Sequence, residues 1–485
     1  MGAGRGSREP TRVSTTLRSA ITTVDPSTGR PLADYEAHTS HAIDAALERA
    51  ATAFRSWRMK PFDERATFVR AAAAELRERK TELATFATRE MGKTLAEAEA
   101  EVEKSAVGCE YYADSAATHL ADQVIATSAA KSYVGFRPLG VVLAIMPWNF
   151  PYWQVFRAAA PALMAGNVVV LKHAANVTGC ALEIERIFKR AGFPEGTFTT
   201  LVVAGGEMEA IVADPRIAAV TLTGSEGAGS AVAATAGKHL KKTVLELGGS
   251  DAFIVLNDAD IAAAAKMALR ARFQNNGQSC IAAKRFIIEA ESYEAFCSAF
   301  VAQVRTLRIG NPLERDTTLG PLAREDLRAE LERQIDGTLR KGGKLCTGGH
   351  RVEGAGYYFE PTVVADVTES MSMFEEETFG PAAALIRARN LEDCIALANA
   401  SRFGLGGNLW TGDLERAQHI AARLESGAVF VNGMTASDPR LPFGGVKKSG
   451  YGRELGSFGI QEFVNAQTVW IGPASDAHQS AVPAE

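Results

Sequence analysis

GVVLAIM (140–146), NVVVLK (167–172), TTLVVA (199–204), AAVTLTG (218–224) and KTVLEL (242–247) are short, continuous apolar runs set at intervals along the chain. A strand with one wet face alternates polar and apolar residues, so an unbroken apolar run of this length predicts burial on both faces, as in a parallel sheet. Between the runs, TGCALEIERIFKRAG (178–192), with its stop signal at Gly192, and EGAGSAVAATAGKHL (226–240) repeat their small and apolar residues at helical spacing. Strands alternating with helical crossovers predict a doubly wound α/β sheet of the nucleotide-binding kind.

Working outward, Ala42 to about Ala117 is helical in pattern, as in AAAAELRERKTELATFATREMGK (71–93). Beyond Gly248 and Gly249 the alternation resumes. Strands AFIVL (252–256), KRFIIEA (284–290), TVVADV (362–367), AAALIRA (382–388), GGNLW (406–410) and AVFVNG (428–433) are predicted. Helices are predicted over 258–273, 292–307, 391–400 and 414–424. This is a second α/β domain. The chain closes on a strand, FVNAQTVWIG (463–472), whose edge could pair with another subunit.

At 485 residues the chain exceeds what one hydrophobic core supports, so at least two domains are expected. A composition of 46% hydrophobic and 22% charged residues is that of a globular α/β protein. Net charge is −5 with no basic run, which argues against nucleic acid as a partner. Pro147, Pro151 and Pro161 interrupt the most apolar region, so no membrane-spanning helix is expected. Six well-separated cysteines, without CxxC or a Cys/His cluster at zinc spacing, point to a reducing, cytoplasmic compartment and to no metal. Arg5, Arg8, Arg12 and Arg18 against one acid, Glu9, fit either a disordered extension or an organellar transit segment; the missing apolar core excludes a secretory signal.

Several positions stand where such a fold does chemistry. Cys280 follows NNGQS (275–279), a run of loop formers between a predicted helix and a predicted strand. A loop thiol can ionise and react, whereas a free cysteine elsewhere is a small buried hydrophobe; both readings are open. Glu246 ends an apolar strand before a glycine pair, either paired structurally or poised as a general base. Asn149, between Pro147 and Pro151, is either an oxyanion donor on a rigid turn or an Asx turn. Gly224 and Ser225 lie between a strand and a helix, where backbone N–H groups attract phosphate, although GxxGxG is not the dinucleotide fingerprint GxGxxG. Lys172 ends a strand at the edge where cofactors bind, or simply snorkels.

Taken together, PWNFP (147–151), LTGS (222–225), ELGG (246–249), GQSC (277–280) and EETFGP (376–381), in that order, resemble the aldehyde dehydrogenase superfamily. The likeness runs from about Val24 to Gly472. It implies two doubly wound α/β domains plus a small β element for oligomerisation. The implied division is an extension over 1–20, an NAD(P)-binding domain over 21–118 and 139–249, and a catalytic domain over 250–440. Oligomerisation strands would lie in 119–138 and 460–473, with a tail over 474–485. The resemblance further implies that Cys280 is the nucleophile, with the Asn149 amide and the Cys280 N–H as oxyanion hole and Glu246 as base. Pro147, Trp148, Lys172, Ala175, Gly224, Ser225, Leu247, Glu377 and Phe379 would contact NADP or NAD. A thiohemiacetal, hydride transfer and a thioester hydrolysed through Glu246 make up the implied chemistry, in a homodimer or homotetramer.

Within the superfamily, PWNFPYWQVFR (147–157), LKHAANVTGCAL (171–182) and NGMTASDPRLPFGGVKKSGYGRELG (432–456) are most similar to bacterial succinate-semialdehyde dehydrogenases. Trp153 and Arg157 share a helix face, and Arg157 is the only charge between Pro151 and Gly166. Its anion is either the carboxylate of a substrate, with Ser437 as a second donor, or an internal acid. Many NAD-preferring members carry a ribose-binding Glu where this chain has Ala175, so NADP is slightly favoured. The rivals are a broad-specificity aldehyde oxidiser with a structural Arg157 and a catalytically silent protein on the same fold.

Overall fold

A computed structural model describes residues 20–472. The extension, apart from Ala20, and the polar tail lie outside the described residues. A hairpin, Ala20–Asp25 against Arg30–Glu36, leads into four helices: α1 (Ser40–Trp57), α2 (Phe62–Glu78), α3 (Lys80–Met91) and α4 (Leu95–His119). The helical pattern thus resolves into pieces, each start or break with a local cause. Thr39 caps α1 through its hydroxyl, which accepts from the Ala42 N–H at 3.2 Å. Pro61 starts α2, and α3 ends at Gly92. Gly92 has φ +85°, and a Cβ there would lie 2.8 Å from the Pro321 carbonyl oxygen, so only glycine fits.

The first large sheet runs, in space, Gly450–Tyr451, Lys242–Glu246, Ile217–Thr223, Val141–Met146, Val168–His173, Phe198–Thr200. Only the Gly450–Tyr451 edge is antiparallel. Its apolar runs are buried almost throughout, as their lack of alternation requires. Helices α5 (Trp153–Met164) and α6 (Thr178–Arg190) are crossovers of this sheet. Counted from the Phe198 edge, the five parallel strands stand in chain order third, second, first, fourth, fifth. The order therefore reverses between Val141–Met146 and Ile217–Thr223, the switch point where such sheets open a ligand crevice.

One predicted strand shrinks. TTLVVA pairs only over Phe198–Thr200; Leu201 still donates to the Leu171 carbonyl, but the Val202 carbonyl turns away to accept from the His38 N–H at 2.8 Å.

The second sheet runs Lys344–Thr347, Thr362–Ala365, Ala382–Ala388, Ala283–Glu289, Asp251–Val255, Gly406–Trp410, Ala428–Val431, parallel except at its Lys344 edge. A third, small sheet pairs Val464–Ile471 with Lys131–Pro138, which also pairs with Gln123–Val124. Val464–Ile471 forms an edge of that sheet. Among the described residues no helix is long and apolar enough to cross a membrane.

Candidate active site

The strands Val141–Met146, Val168–His173, Ile217–Thr223 and Lys242–Glu246 end at one edge, where Met146 lies beside His173 and Thr223 beside Glu246. That shared edge gathers residues far apart in sequence. The turn Pro147–Pro151 and the turn Gly224–Ser225 flank the switch point. Ser225 is spent locally: its hydroxyl accepts from the Ala228 N–H at 3.3 Å and caps the helix Glu226–Lys238. Lys172 is half-buried, forms no ion pair among the described residues, and burial lowers its pKa. Ala175 is exposed just beyond it.

The cysteine loop is built on strained backbone. Asn275, Asn276 and Gly277 all have positive φ, at 57°, 56° and 73°. Asparagine tolerates this region better than most residues, but two in succession still need support. Half-buried Glu97 supplies it by accepting from the Asn275 N–H at 2.6 Å. The Asn276 amide donates to the carbonyls of Gly92 and Pro321 and accepts from the Gly320 N–H at 2.8 Å. Gln278 accepts from Ala323 N–H at 2.9 Å. A Cβ on Gly277 would collide with the Gly380 carbonyl, so this glycine is set by close approach as well as by φ. Buried Arg272 ties the segments together, donating to the carbonyls of Gly277, Thr378, Gly380 and Ala382. These bonds hold the loop before any substrate arrives.

At the end of this loop Cys280 is half-buried. Burial foremost, with the charges of Glu377 and Glu246, pushes its thiol up to about 12, against the pull of Arg157 and Lys284. Asn149 is brought to the same loop: its side-chain NH₂ donates to the Gln278 carbonyl at 3.1 Å, and its own carbonyl accepts from the Asn275 amide at 2.9 Å. Glu246 is 2% exposed and neither of its carboxylate oxygens has a hydrogen-bond partner. Burial, then the charge of Glu454, raises its pKa well above the usual carboxylate range, opposed by Arg157 and Arg453.

Trp153 and Ser437 meet, the indole N–H donating to the serine oxygen at 3.0 Å. Arg157 has an internal acid. Its guanidinium is ion-paired with buried Glu454, donates to the Thr223 hydroxyl at 3.3 Å and stacks over Phe443 at 4.7 Å. The internal ion pair that the sequence left open is thus formed, and the charge of Arg157 is matched within the protein.

On the opposite wall Trp148 and Phe379 meet edge to face at 5.7 Å. Glu377 accepts from the Gly249 N–H at 3.0 Å and lies 3.4 Å from the Lys284 ammonium, which donates to the Ser279 and Cys280 carbonyls. Leu247 packs against Gly229, and Pro147 is half-buried at the strand end. The lack of an acid at position 175 leaves nothing there to repel a 2′-phosphate. Among the described residues no cluster of His, Cys, Asp or Glu could hold a metal.

Sequence reading missed Glu454, Arg272, Lys284, Glu97 and Lys104. Their roles come from contacts across the chain; only the Asn-Asn-Gly run, with its tolerance for left-handed backbone, hinted at the strained loop.

Comparison with known proteins agrees with this geometry. The Aldehyde dehydrogenase family pattern matches residues 13–469. The chain is 51% identical over 452 residues to a probable succinate-semialdehyde dehydrogenase [NADP(+)] of Synechocystis sp., covering 93% of this chain and 100% of that one. It is 49% identical over 454 residues to succinate-semialdehyde dehydrogenase [NADP(+)] 1 of Mycobacterium tuberculosis, covering 93% and 99%. The crystal structure of succinic semialdehyde dehydrogenase from Streptococcus pyogenes, in complex with NADP+, superposes with a TM-score of 0.91 at 37% identity, covering 94% and 100%. With its motifs gathered at one sheet edge and a likeness spanning nearly its whole length, the chain belongs to the aldehyde dehydrogenase family.

Proposed function

We propose that this enzyme oxidises succinate semialdehyde, or a closely similar ω-carboxylated aldehyde, to the carboxylic acid with NADP+, and with NAD+ less readily. The observation that carries the reading is Glu246: a buried carboxyl group with no hydrogen-bond partner for either oxygen among the described residues, whose ionised form would raise the Cys280 thiol. A polar group is left unsatisfied in a protein interior at a cost of about 1–3 kcal/mol, so such a group calls for a use.

The Cys280 sulfur attacks the aldehyde carbon, and its proton leaves to solvent. The Asn149 amide and the Cys280 N–H hold the resulting oxyanion. A dinucleotide, when bound, would supply the hydride acceptor, and Lys172 and the Gly224–Ser225 turn would hold its adenosine and phosphates. Pro147, Trp148, Leu247, Glu377 and Phe379 would line its nicotinamide side. Loss of hydride from the former aldehyde carbon leaves an acyl thioester on Cys280. Glu246 then takes a proton from water, the hydroxyl adds to the acyl carbon, the C–S bond breaks, and the acid departs. A general base works best with a pKa near the operating pH, and burial beside Glu454 lifts Glu246 in that direction.

The names of the relatives and the absence of an acid at position 175 support the substrate and cofactor. Initial rates with succinate semialdehyde and butyraldehyde, each with NADP+ and NAD+, test both. Equal kcat/KM for the two aldehydes would reject the carboxylated substrate and favour the broad oxidiser, the reading that the Arg157–Glu454 pair by itself supports.

The same reading assigns the dinucleotide to residues 21–118 and 139–249 and the nucleophile to 250–440. It also makes the enzyme a cytoplasmic homo-oligomer assembled through 119–138 and 460–473. Exposed Trp470 and Ile471 on the edge strand support the assembly, and light scattering that finds only monomer would refute it.

A further inference from the structure

With Arg157 neutralised, a carboxylated substrate needs another cation. Helix α4 supplies one. The Lys104 ammonium lies 2.6 Å from the Ser437 oxygen and 4.5 Å from the centre of the Trp153 ring. It forms no ion pair among the described residues.

The neighbouring charges explain why it is free. On its own helix, Glu101 is ion-paired with buried Lys93 and accepts from the N–H groups of Tyr152 and Trp153 at 2.7 and 3.0 Å. On the loop after Ser437, Asp438 is held by Arg440 through two bonds at 2.9 and 2.6 Å. On α5, Arg157 repels it. Every acid that Lys104 feels is therefore engaged elsewhere, and one positive charge is left over.

Ser437 points the same way. Its oxygen accepts from Lys104 and from the Trp153 indole, and among the described residues its own hydroxyl hydrogen has no acceptor. Two remaining N–H bonds of the ammonium and one O–H are thus unspent beside an indole wall. That set of donors matches a carboxylate.

We propose that Lys104, with the Ser437 hydroxyl and against Trp153, receives the distal carboxylate of the aldehyde and is the specificity-determining cation of this enzyme. The proposal rests on the carboxylated-substrate reading above. Burial and Arg157 lower the Lys104 pKa to about 8, so the free enzyme loses this charge as pH rises past 8. A bound carboxylate would raise it again.

The test is the ratio of kcat/KM for succinate semialdehyde to that for butyraldehyde, with NADP+, in the full chain, Lys104→Met and Lys104→Arg, from pH 7 to 9.5. In Lys104→Met the ratio is expected to fall about 10- to 100-fold, the worth of a charge-assisted hydrogen bond, chiefly through KM. Lys104→Arg should recover most of it. In the unaltered enzyme the ratio should decline above pH 8, and in Lys104→Arg it should hold. A ratio unmoved by Lys104→Met overturns the assignment to Lys104 and leaves the substrate reading standing. An unaltered enzyme that does not favour the carboxylated aldehyde overturns both. Should Lys104→Met not fold, a ratio flat from pH 7 to 9.5 in the unaltered enzyme is the contrary result.

Discussion

Glu246 and Glu454 are two carboxylates buried in one region and held in opposite ways. Glu454 is ion-paired with Arg157 and accepts from the Thr221 hydroxyl at 3.4 Å. The Glu246 carboxyl has no hydrogen-bond partner among the described residues. The Glu454 charge makes Glu246 harder to ionise, and Arg157 acts on both acids. The proton therefore belongs on Glu246, whose pKa is lifted by burial and by the Glu454 charge, while Arg157 and Thr221 act against the lift on Glu454. The difference separates an acid that holds the structure from one left available for proton transfer.

Exchanging each acid for its amide should divide the two roles. Glu246→Gln has the largest expected effect: steady-state turnover falls about 10²- to 10⁴-fold, the range for losing a general base. Stability should not fall. The folded protein keeps the Glu246 proton that the unfolded chain releases as pH rises past the usual carboxylate range, so this group destabilises increasingly up to its folded pKa. The melting temperature of Glu246→Gln should therefore gain on the unaltered protein between pH 5 and pH 8. A steady loss would contradict the unpartnered state of Glu246.

Glu454→Gln should do the reverse. It leaves the Arg157 charge buried without its counterion, which costs about 3–5 kcal/mol of stability in denaturant unfolding. Insensitivity to the change would mean that the ion pair is not what holds Arg157. A smaller effect separates the thiol from both acids. With cofactor absent, alkylation of Cys280, taken against a Cys280→Ala blank, should climb about tenfold per pH unit from 7 to 10, because burial pushes the thiol up to about 12. A plateau below pH 9 would place the thiol in a far more polar site.

The parts of this arrangement legible in the sequence are those decided locally. Val141–Met146 and Val168–His173 read as parallel strands because burial on both faces removes alternation. Cys280 and Asn149 could be singled out because each stands in a turn near a strand, and Glu246 because it ends one before a glycine pair. What escaped depends on distant partners. The strand from Thr199 was read too long because nothing near it announces that the Val202 carbonyl goes to His38. Arg157 visibly needed an anion, but local spacing could not show that Glu454 provides it. Lys104 and Ser437 lie 333 residues apart, and only the folded chain joins them. In the sequence Lys104 is one charge among many on a polar helix.

The central claim is that an acyl group is carried on Cys280 and released by Glu246. Rapid mixing of Glu246→Gln with NADP+ and succinate semialdehyde, followed by intact mass and peptide mapping, tests it most directly. The account predicts a burst of about one reduced cofactor per active site, then a stall, with a succinyl group on Cys280. Linear turnover at the unaltered rate, or a burst with Cys280 unmodified, would contradict it.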